Sequence, residues 1–170
     1  MKSHLSNLFY WLAIFIVAIS MTLYGITKPI QFDEFTIATP DKAMTGHQVM
    51  WMFYGYSKSY PILIGLLEMA GSVLLLFGRT RLFAVLLLSI ILSNIIIQDY
   101  IYEIAALPVA IFYQFLLCVV AVYDWDKVKE VAVSLFQSPP KTGPNWVVLG
   151  IAATLACLFV LFETRIVNAF

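Results

Sequence analysis

Long apolar runs, separated by short polar or aromatic breaks, make up most of the chain. A hydrocarbon core of about 30 Å needs roughly 20 helical residues to cross it. Five runs approach or reach that length, and we predict membrane-spanning helices at Leu8–Ile26, Tyr60–Phe77, Leu82–Ile97, Ala105–Val122 and Trp146–Phe162. The first run is longer than the apolar region of a secretory signal, so we expect it to be retained. The predicted fold class is all-α, a transmembrane helical bundle.

The breaks between these runs predict the loops. Residues 29–60 form a long loop in which Met44–Tyr54 is predicted as a short helix at the membrane surface, because its aromatic rings favour the membrane–water boundary. A second surface helix is predicted at Lys127–Phe136, before the Pro-Pro-Lys breaker at 139–141. The expected organisation is a membrane core at 1–123 with the outer loop 29–60, a cytoplasmic linker at 124–145, and an additional transmembrane helix with a short tail at 146–170.

The composition supports a membrane environment. Hydrophobic residues make up 62% of the 170 positions and charged residues only 12%, whereas soluble domains have about 45–50% and roughly 25%. Because so few charged residues cannot cover a water-facing surface, we expect a lipid bilayer to surround most of the protein. The formal net charge of zero gives no basic field for phosphates, which argues against nucleic acid as a partner.

The lysines and arginines set the expected orientation. With five spans, six of them fall on one side and four on the other, and the turn after the third span carries only Asp99 and Glu103. The positive-inside rule then places the N-terminus in the cytoplasm and the C-terminus outside, in a multi-pass protein of the cell inner membrane. The turn Gly78–Arg81, with its two arginines, is then expected to end the second span on the cytoplasmic side as a cytoplasmic stop.

Glu68 is the most unusual residue of the second predicted span. It lies about ten residues from Gly78, near the middle of the bilayer. A carboxylate at that depth costs about 2.5–3.5 kcal/mol, so Glu68 should face the bundle and have a partner. The predicted pocket residues, chosen by depth along neighbouring helices, are Glu68, Asn94, Gln114, Ser72, Tyr113 and Lys28.

These polar residues have a second interpretation. Interhelical hydrogen bonds from Asn, Gln and Ser often only hold a bundle together, and Gly65 with Ala70 or Gly71 can serve close helix packing. Lys28 is expected to reach toward Glu68 or Asp99. Asp99 itself, at the water boundary, is expected to be solvated, and His47 in the outer loop is expected to be an ordinary surface residue.

Metal and redox centres have little support in the sequence. Cys118 and Cys157 lie in apolar runs without a Cys-x-x-Cys pair, and His4 and His47 are the only histidines. They are too few to ligate haem or zinc. We therefore expect no haem or metal.

The segment from Gly55 to Ile104 resembles the DoxX-like family of small integral membrane proteins. The positions that match that family's pattern, in order, are Gly65, Glu68, Gly71, Arg79, Thr80, Asn94 and Tyr102. The stretch Tyr24–Lys28, YGITK, is similar to the family's exit from its first helix. The resemblance covers Leu8 to Tyr123 and implies a four-helix core, to which this chain adds a fifth helix.

The resemblance implies a quinone- or redox-associated membrane subunit, because the family includes a subunit of a thiosulfate–quinone oxidoreductase. Quinone is the cofactor implied, and whether the chain is itself an enzyme stays open. One alternative is a non-enzymatic interaction or protective protein whose outer loop binds a membrane or periplasmic protein through Trp51, Tyr54 and Tyr56. A weaker alternative is a small proton-coupled transporter that uses Glu68, since a single carboxylate without an inverted repeat gives it little support.

Overall fold

The computed structural model describes residues 4–32, 44–137 and 145–167, with side chains up to residue 162. These residues form helices joined by turns. The helices are α1 (His4–Gln31), α2 (Gly46–Gly55), α3 (Ser59–Leu76), α4 (Arg81–Ile101), α5 (Leu107–Tyr123), α6 (Trp125–Phe136) and α7 (Trp146–Val167). The charged part of the outer loop at 33–43 and the Pro-Pro-Lys breaker lie outside the described residues.

Three helices, α1, α3 and α4, are long and apolar enough to cross a membrane. The helices α5 and α6 meet the same criterion together and bend by 81° at their junction, which makes up to four spans. The helix α7 contributes the shorter apolar stretch Trp146–Phe162. The all-α class and the presence of several membrane-length helices are therefore confirmed, while the fifth span stays a prediction.

The helix α1 is longer than its sequence pattern predicts. It continues through Pro29 to Gln31, although the apolar run ends at Ile26. A proline so close to the C-terminus of a helix removes only one hydrogen bond, the one its N–H would have donated to Gly25 O. The extra turn keeps Lys28 helical, on the same face as Gly25 and Met21, which lie three and seven residues earlier.

Contacts divide the chain into Met1–Val131 and Ala132–Phe170, so the division falls inside α6. The core of the first unit is one hydrophobic cluster contributed by α1, α3, α4 and α5. Its α1 members repeat at helical spacing: Tyr10, Ala13, Ile14, Val17, Ala18 and Met21. In the second unit, Asn145 Oδ1 accepts from the backbone N–H of Val147 at 3.1 Å and so begins α7.

Glycines allow the helices of the first unit to approach closely. A Cβ on Gly25 would lie 2.6 Å from Gly65 O, and a Cβ on Gly65 would collide with Gly25 O. A Cβ on Gly71 would lie 2.6 Å from Leu88 Cδ2 of α4. The backbones of α1 and α3 therefore touch at one glycine pair, as small residues permit in membrane bundles.

The turn between α3 and α4 is built around a buried arginine. Arg81 donates from Nε to Leu75 O at 3.0 Å and from Nη2 to Leu76 O at 3.1 Å, where α3 ends with unpaired carbonyls. Its Nη1 donates to Tyr10 Oη at 2.6 Å, and that hydroxyl donates to Asp124 Oδ2 at 2.7 Å. Arg81 was predicted as part of a cytoplasmic stop, and the structure adds the role of joining α1, α3 and α4 to the end of α5.

Candidate functional site

A cavity of about 120 Å³ lies at the end of the bundle that carries α2. Residues from α1, α2, α3, α4 and α5 line it. Three of these described residues are charged types: the basic Lys28 and the acidic Glu68 and Asp99. Five are aromatic: Tyr24, Phe32, Trp51, Tyr54 and Tyr113.

Lys28 and Glu68 form an ion pair in the wall of this cavity. Lys28 Nζ lies 2.5 Å from Glu68 Oε1, and the exposed fractions of the two residues are 8% and 0%. Such a pair is stable in a low-dielectric interior only with good geometry, because both charges have left water. The short contact provides that geometry.

The glycine crossing sets the position of the ion pair. Lys28 follows Gly25 by three residues and Glu68 follows Gly65 by three, so each charged residue lies one turn beyond the contact point. The helices are antiparallel, since Tyr10 near the start of α1 contacts Arg81 just after α3. Side chains on a helix tilt toward its N-terminus, so the two charged groups lean toward each other across the crossing.

Asp99 is the residue for which the sequence-based expectation was wrong. It was expected in solvent at the membrane boundary, yet only 3% of it is exposed. The helix α4 continues to Ile101, and the turn that follows folds back so that Ile104 N–H donates to Asp99 O at 2.8 Å. Ile104 joins Phe32, Met50 and Tyr54 in a small hydrophobic cluster that covers this end of the bundle.

Two carboxylate oxygens in the cavity wall lack hydrogen-bond partners. They are Glu68 Oε2 and Asp99 Oδ2, both inaccessible to solvent and without a partner among the described residues. Buried polar atoms are nearly always paired, and each exception calls for an explanation. A ligand, a water or a proton in the cavity would supply what is missing.

The helix α2, here called the lid, forms part of the cavity wall. Thr45 and Gln48 form a reciprocal capping box at its start. Gly46 packs on the turn after α4, where a Cβ would lie 2.6 Å from Tyr102 O. Trp51 Nε1 donates to Gln31 O at 3.1 Å, which ties the lid to the end of α1.

Tyr54 fastens the lid to α4. Its hydroxyl donates to Gln98 Oε1 at 2.5 Å, and its ring stacks on Phe32 with the centroids 4.6 Å apart. Burial raises the pKa of Tyr54 to about 12, so the hydroxyl stays protonated and remains a donor at neutral pH. The lid is thus held by two side-chain hydrogen bonds, from Trp51 and Tyr54.

The structure brings together half of the predicted pocket residues. Glu68, Lys28 and Tyr113 line the cavity. Ser72 is buried, but its hydroxyl donates to Glu68 O at 2.7 Å along the same helix. Gln114 donates to Ser89 Oγ at 3.2 Å between α5 and α4, and Asn94 is exposed on α4. For Ser72 and Gln114 these contacts fit the packing interpretation.

The three predicted partner-binding aromatics have different surroundings. Tyr56 is 92% exposed at the end of α2. Trp51 is half-buried and stacks on His47 with the ring centroids 3.8 Å apart. Tyr54 is buried and faces the cavity, so it has almost no surface to offer a partner in this conformation.

Sequence reasoning missed Asp99, Phe32 and Tyr24 as cavity residues. The signal available for Asp99 was its spacing: it lies seven residues after Leu92, two turns along the same face of α4. Metal ligation finds no support in the described residues, which contain no group of three or more His, Cys, Asp or Glu side chains close enough to hold an ion. Cys118 and Cys157 are both free and exposed.

Comparison with known proteins gives a limited result. No protein-family model matches the chain, and no solved structure matches it. The chain is 33% identical over 90 residues to a Bacillus subtilis (strain 168) protein named "Uncharacterized protein YwoB". The similarity spans 52% of this chain and 58% of that relative. The relative's name states no activity.

Proposed function

We propose that this chain is a multi-pass membrane protein that binds a small ligand in the cavity beneath α2. In this proposal a DoxX-like core of four spans and a fifth helix, α7, cross the bilayer, with the N-terminus in the cytoplasm. The lid then lies on the outer side, and the ligand enters from the outer leaflet or the periplasm.

One observation carries the proposal. Glu68 Oε2 and Asp99 Oδ2 are buried in the cavity wall without a partner among the described residues, although burying an unpaired polar group costs roughly 1–3 kcal/mol. Two such atoms on residues that line one cavity support a bound partner there. Gln114 Oε1 is also unpaired, but Gln114 is not part of the cavity lining.

The cavity volume limits the size of the ligand. About 120 Å³ is comparable to the engineered 150 Å³ cavity that accepts benzene. A single ring or a compact branched group fits, whereas a larger ligand could place only one end here. A ligand with an apolar tail would have to leave that tail among the lipids.

A quinone is a second candidate because the cavity is large enough for one ring and contains donors for carbonyl oxygens. Lys28 and the hydroxyls of Tyr24 and Tyr113 supply those donors. Asn94 and Gln114, the two amides among the predicted pocket residues, are not part of the cavity lining. A redox-associated role rests on this candidate.

Thiol labelling tests whether the cavity admits a ligand. In a Cys118→Ser, Cys157→Ser background, Ala110→Cys puts a thiol in the cavity wall, Ser57→Cys puts one in the exposed turn before α3, and Val17→Cys puts one in the closed core. In liposomes, neutral methyl methanethiosulfonate should modify Cys at 110 and 57 but not at 17. If Cys at 110 is as unreactive as Cys at 17, the cavity is closed and the proposal fails.

The quinone candidate has its own test. Trp51 lines the cavity, so decylubiquinone bound there should quench its fluorescence at saturable concentrations. The matched control is Trp51→Phe, which keeps the three other tryptophans. Equal quenching in both proteins would mean that the quinone dissolves in the bilayer rather than binding beneath α2.

The orientation is tested on the same background. An impermeant thiol reagent added outside right-side-out vesicles should label Ser57→Cys and leave Gly78→Cys, in the turn after α3, unlabelled until the vesicles are opened. The reverse pattern would invert the proposed topology.

A further inference from the structure

We infer that the ligand of this cavity is a small organic cation, an ammonium group held between Asp99, Glu68 and the aromatic wall. This inference rests on the proposed function, since it needs a cavity that a ligand can enter. It goes further by assigning the charge and chemical class of the ligand.

The charge balance of the cavity is the first argument. Among the described residues, its lining holds one ammonium, Lys28, and two carboxyl groups, Glu68 and Asp99. The other titratable lining groups in the part of the chain that the structure describes are the hydroxyls of Tyr24, Tyr54 and Tyr113, which are neutral when protonated. With both carboxyl groups ionised, the cavity therefore has one surplus negative charge, which a monovalent cation neutralises.

The unpaired oxygens belong to two residues that line the cavity. Lys28 uses Glu68 Oε1 and leaves Oε2 free, and Asp99 Oδ2 has no partner among the described residues. Both residues are more than nine-tenths buried, and both line the same cavity. Two acceptor oxygens without donors match a ligand that brings positive charge, N–H donors or both.

The aromatic wall favours an organic cation over a metal ion. Five of the lining residues are aromatic, and ring faces attract ammonium groups. A metal ion such as calcium needs six to eight oxygen ligands, and magnesium needs an octahedral set. The two carboxyl groups do not provide that many, and Lys28 beside them repels a divalent ion. An anionic ligand would be repelled by the surplus negative charge of the two carboxylates.

The reactivity of Ala110→Cys toward charged reagents tests the inference. Two reagents of similar size are used, the trimethylammonium-ethyl and the sulfonato-ethyl methanethiosulfonates. Each rate is divided by the rate for Ser57→Cys, which removes the effect of membrane surface charge. We expect the cationic reagent to be favoured over the anionic one by at least about tenfold in the cavity, as for charge-focusing clefts.

Two matched variants locate the source of this preference. Asp99→Asn removes the surplus charge and should abolish most of the cation preference. Glu103→Gln removes an exposed carboxylate four residues away and should leave the preference intact. An equal loss in both variants would assign the preference to the general surface field and overturn the inference.

A second measurement needs no change at Asp99, in case that variant folds poorly. Tetramethylammonium should protect Cys at 110 from the neutral reagent, whereas tert-butanol, a neutral molecule of similar shape, should not. Equal protection by both would show that shape alone decides entry.

The outcomes separate this inference from the function on which it rests. If the neutral reagent enters but charge has no effect, the cavity binds small molecules and Asp99 holds its own proton, so the cation assignment fails alone. If the neutral reagent does not enter, the proposed function and the cation assignment fail together.

Discussion

Lys28 Nζ and Glu68 Oε1 lie 2.5 Å apart although 40 residues separate them in the chain. Asp99 lines the same cavity as both residues. Lys28 therefore has two acidic neighbours, whereas Glu68 and Asp99 share one lysine. Removing Lys28 should thus affect stability differently from removing Glu68.

Removing the lysine should be more harmful than removing the glutamate. Lys28→Met leaves two buried carboxyl groups without a cation, which should lower the free energy of unfolding by about 3 kcal/mol. Glu68→Gln leaves Lys28 with Asp99 as a remaining partner and should cost about 1 kcal/mol. Thermal unfolding in one detergent compares the two variants, with Lys129→Met at an exposed site of α6 as the control. Equal losses would show that Asp99 does not compensate Lys28.

The glycine crossing should not tolerate a methyl group. Gly65→Ala puts a Cβ against Gly25 O, a backbone atom that cannot rotate away, so we expect a loss of about 1–3 kcal/mol in stability. Gly150→Ala in α7 is the matched control, because nothing lies within 4 Å of its added Cβ. That control should be neutral or stabilising by up to about 1 kcal/mol, since alanine favours a helix over glycine. If Gly65→Ala behaves like Gly150→Ala, the two backbones are not in contact.

The buried arginine should not be replaceable by lysine. Arg81 satisfies two carbonyls at the end of α3 and the Tyr10 hydroxyl at once, and its guanidinium lies 4.8 Å from the Trp11 ring centroid. A lysine lacks the planar fork that reaches these groups, so Arg81→Lys should lower stability by about 2–3 kcal/mol. Arg79→Lys, two residues earlier and exposed, should change stability little. Similar unfolding temperatures for both variants would contradict the role assigned to Arg81.

The lid should loosen when its hydrogen bond to α4 is removed. Tyr54→Phe keeps the ring on Phe32 but deletes the bond to Gln98 Oε1, which should cost about 1 kcal/mol. Amide hydrogens of α2 should exchange faster, and the thiol at position 110 should be labelled faster. Tyr56→Phe, at a residue that is 92% exposed, should leave both rates unchanged. Unchanged exchange in Tyr54→Phe would mean that the Trp51 bond and ring packing hold α2 by themselves.

Much of the helical organisation was predictable from the sequence, because helix length and apolarity are local properties. The helices α3, α4, α5 and α7 begin within two residues of their predicted starts. The short helices α2 and α6 also fall where aromatic and charged breaks indicated them. The end of α1 was misplaced because the prediction followed the apolar run, which ends at Ile26, whereas the helix continues to Gln31. Pro29 so near the helix terminus removes only one bond.

The cavity was predictable only in part. The cost of a carboxylate inside a membrane correctly indicated that Glu68 is buried with a partner, and Lys28 is that partner. Counting residues gives the depth of a side chain but not the direction in which it points around its helix. Gln114 bonds to Ser89 instead, and Asn94 is exposed. Asp99 was expected in water because the residues that cover it are distant in the chain.

By itself the sequence determined an all-α chain with membrane-length helices, an ionisable residue inside one of them and an aromatic segment at one end. Each of these features depends on residues close together in the chain, through the helical repeat and the free energy of moving side chains out of water. The tertiary structure decided that Lys28 meets Glu68, that Asp99 is buried, and that α2 lines the same cavity as these residues. Those outcomes depend on how far each helix is rotated about its axis and where two backbones touch. The Gly25–Gly65 contact sets that arrangement for α1 and α3, and it joins parts of the chain 40 residues apart.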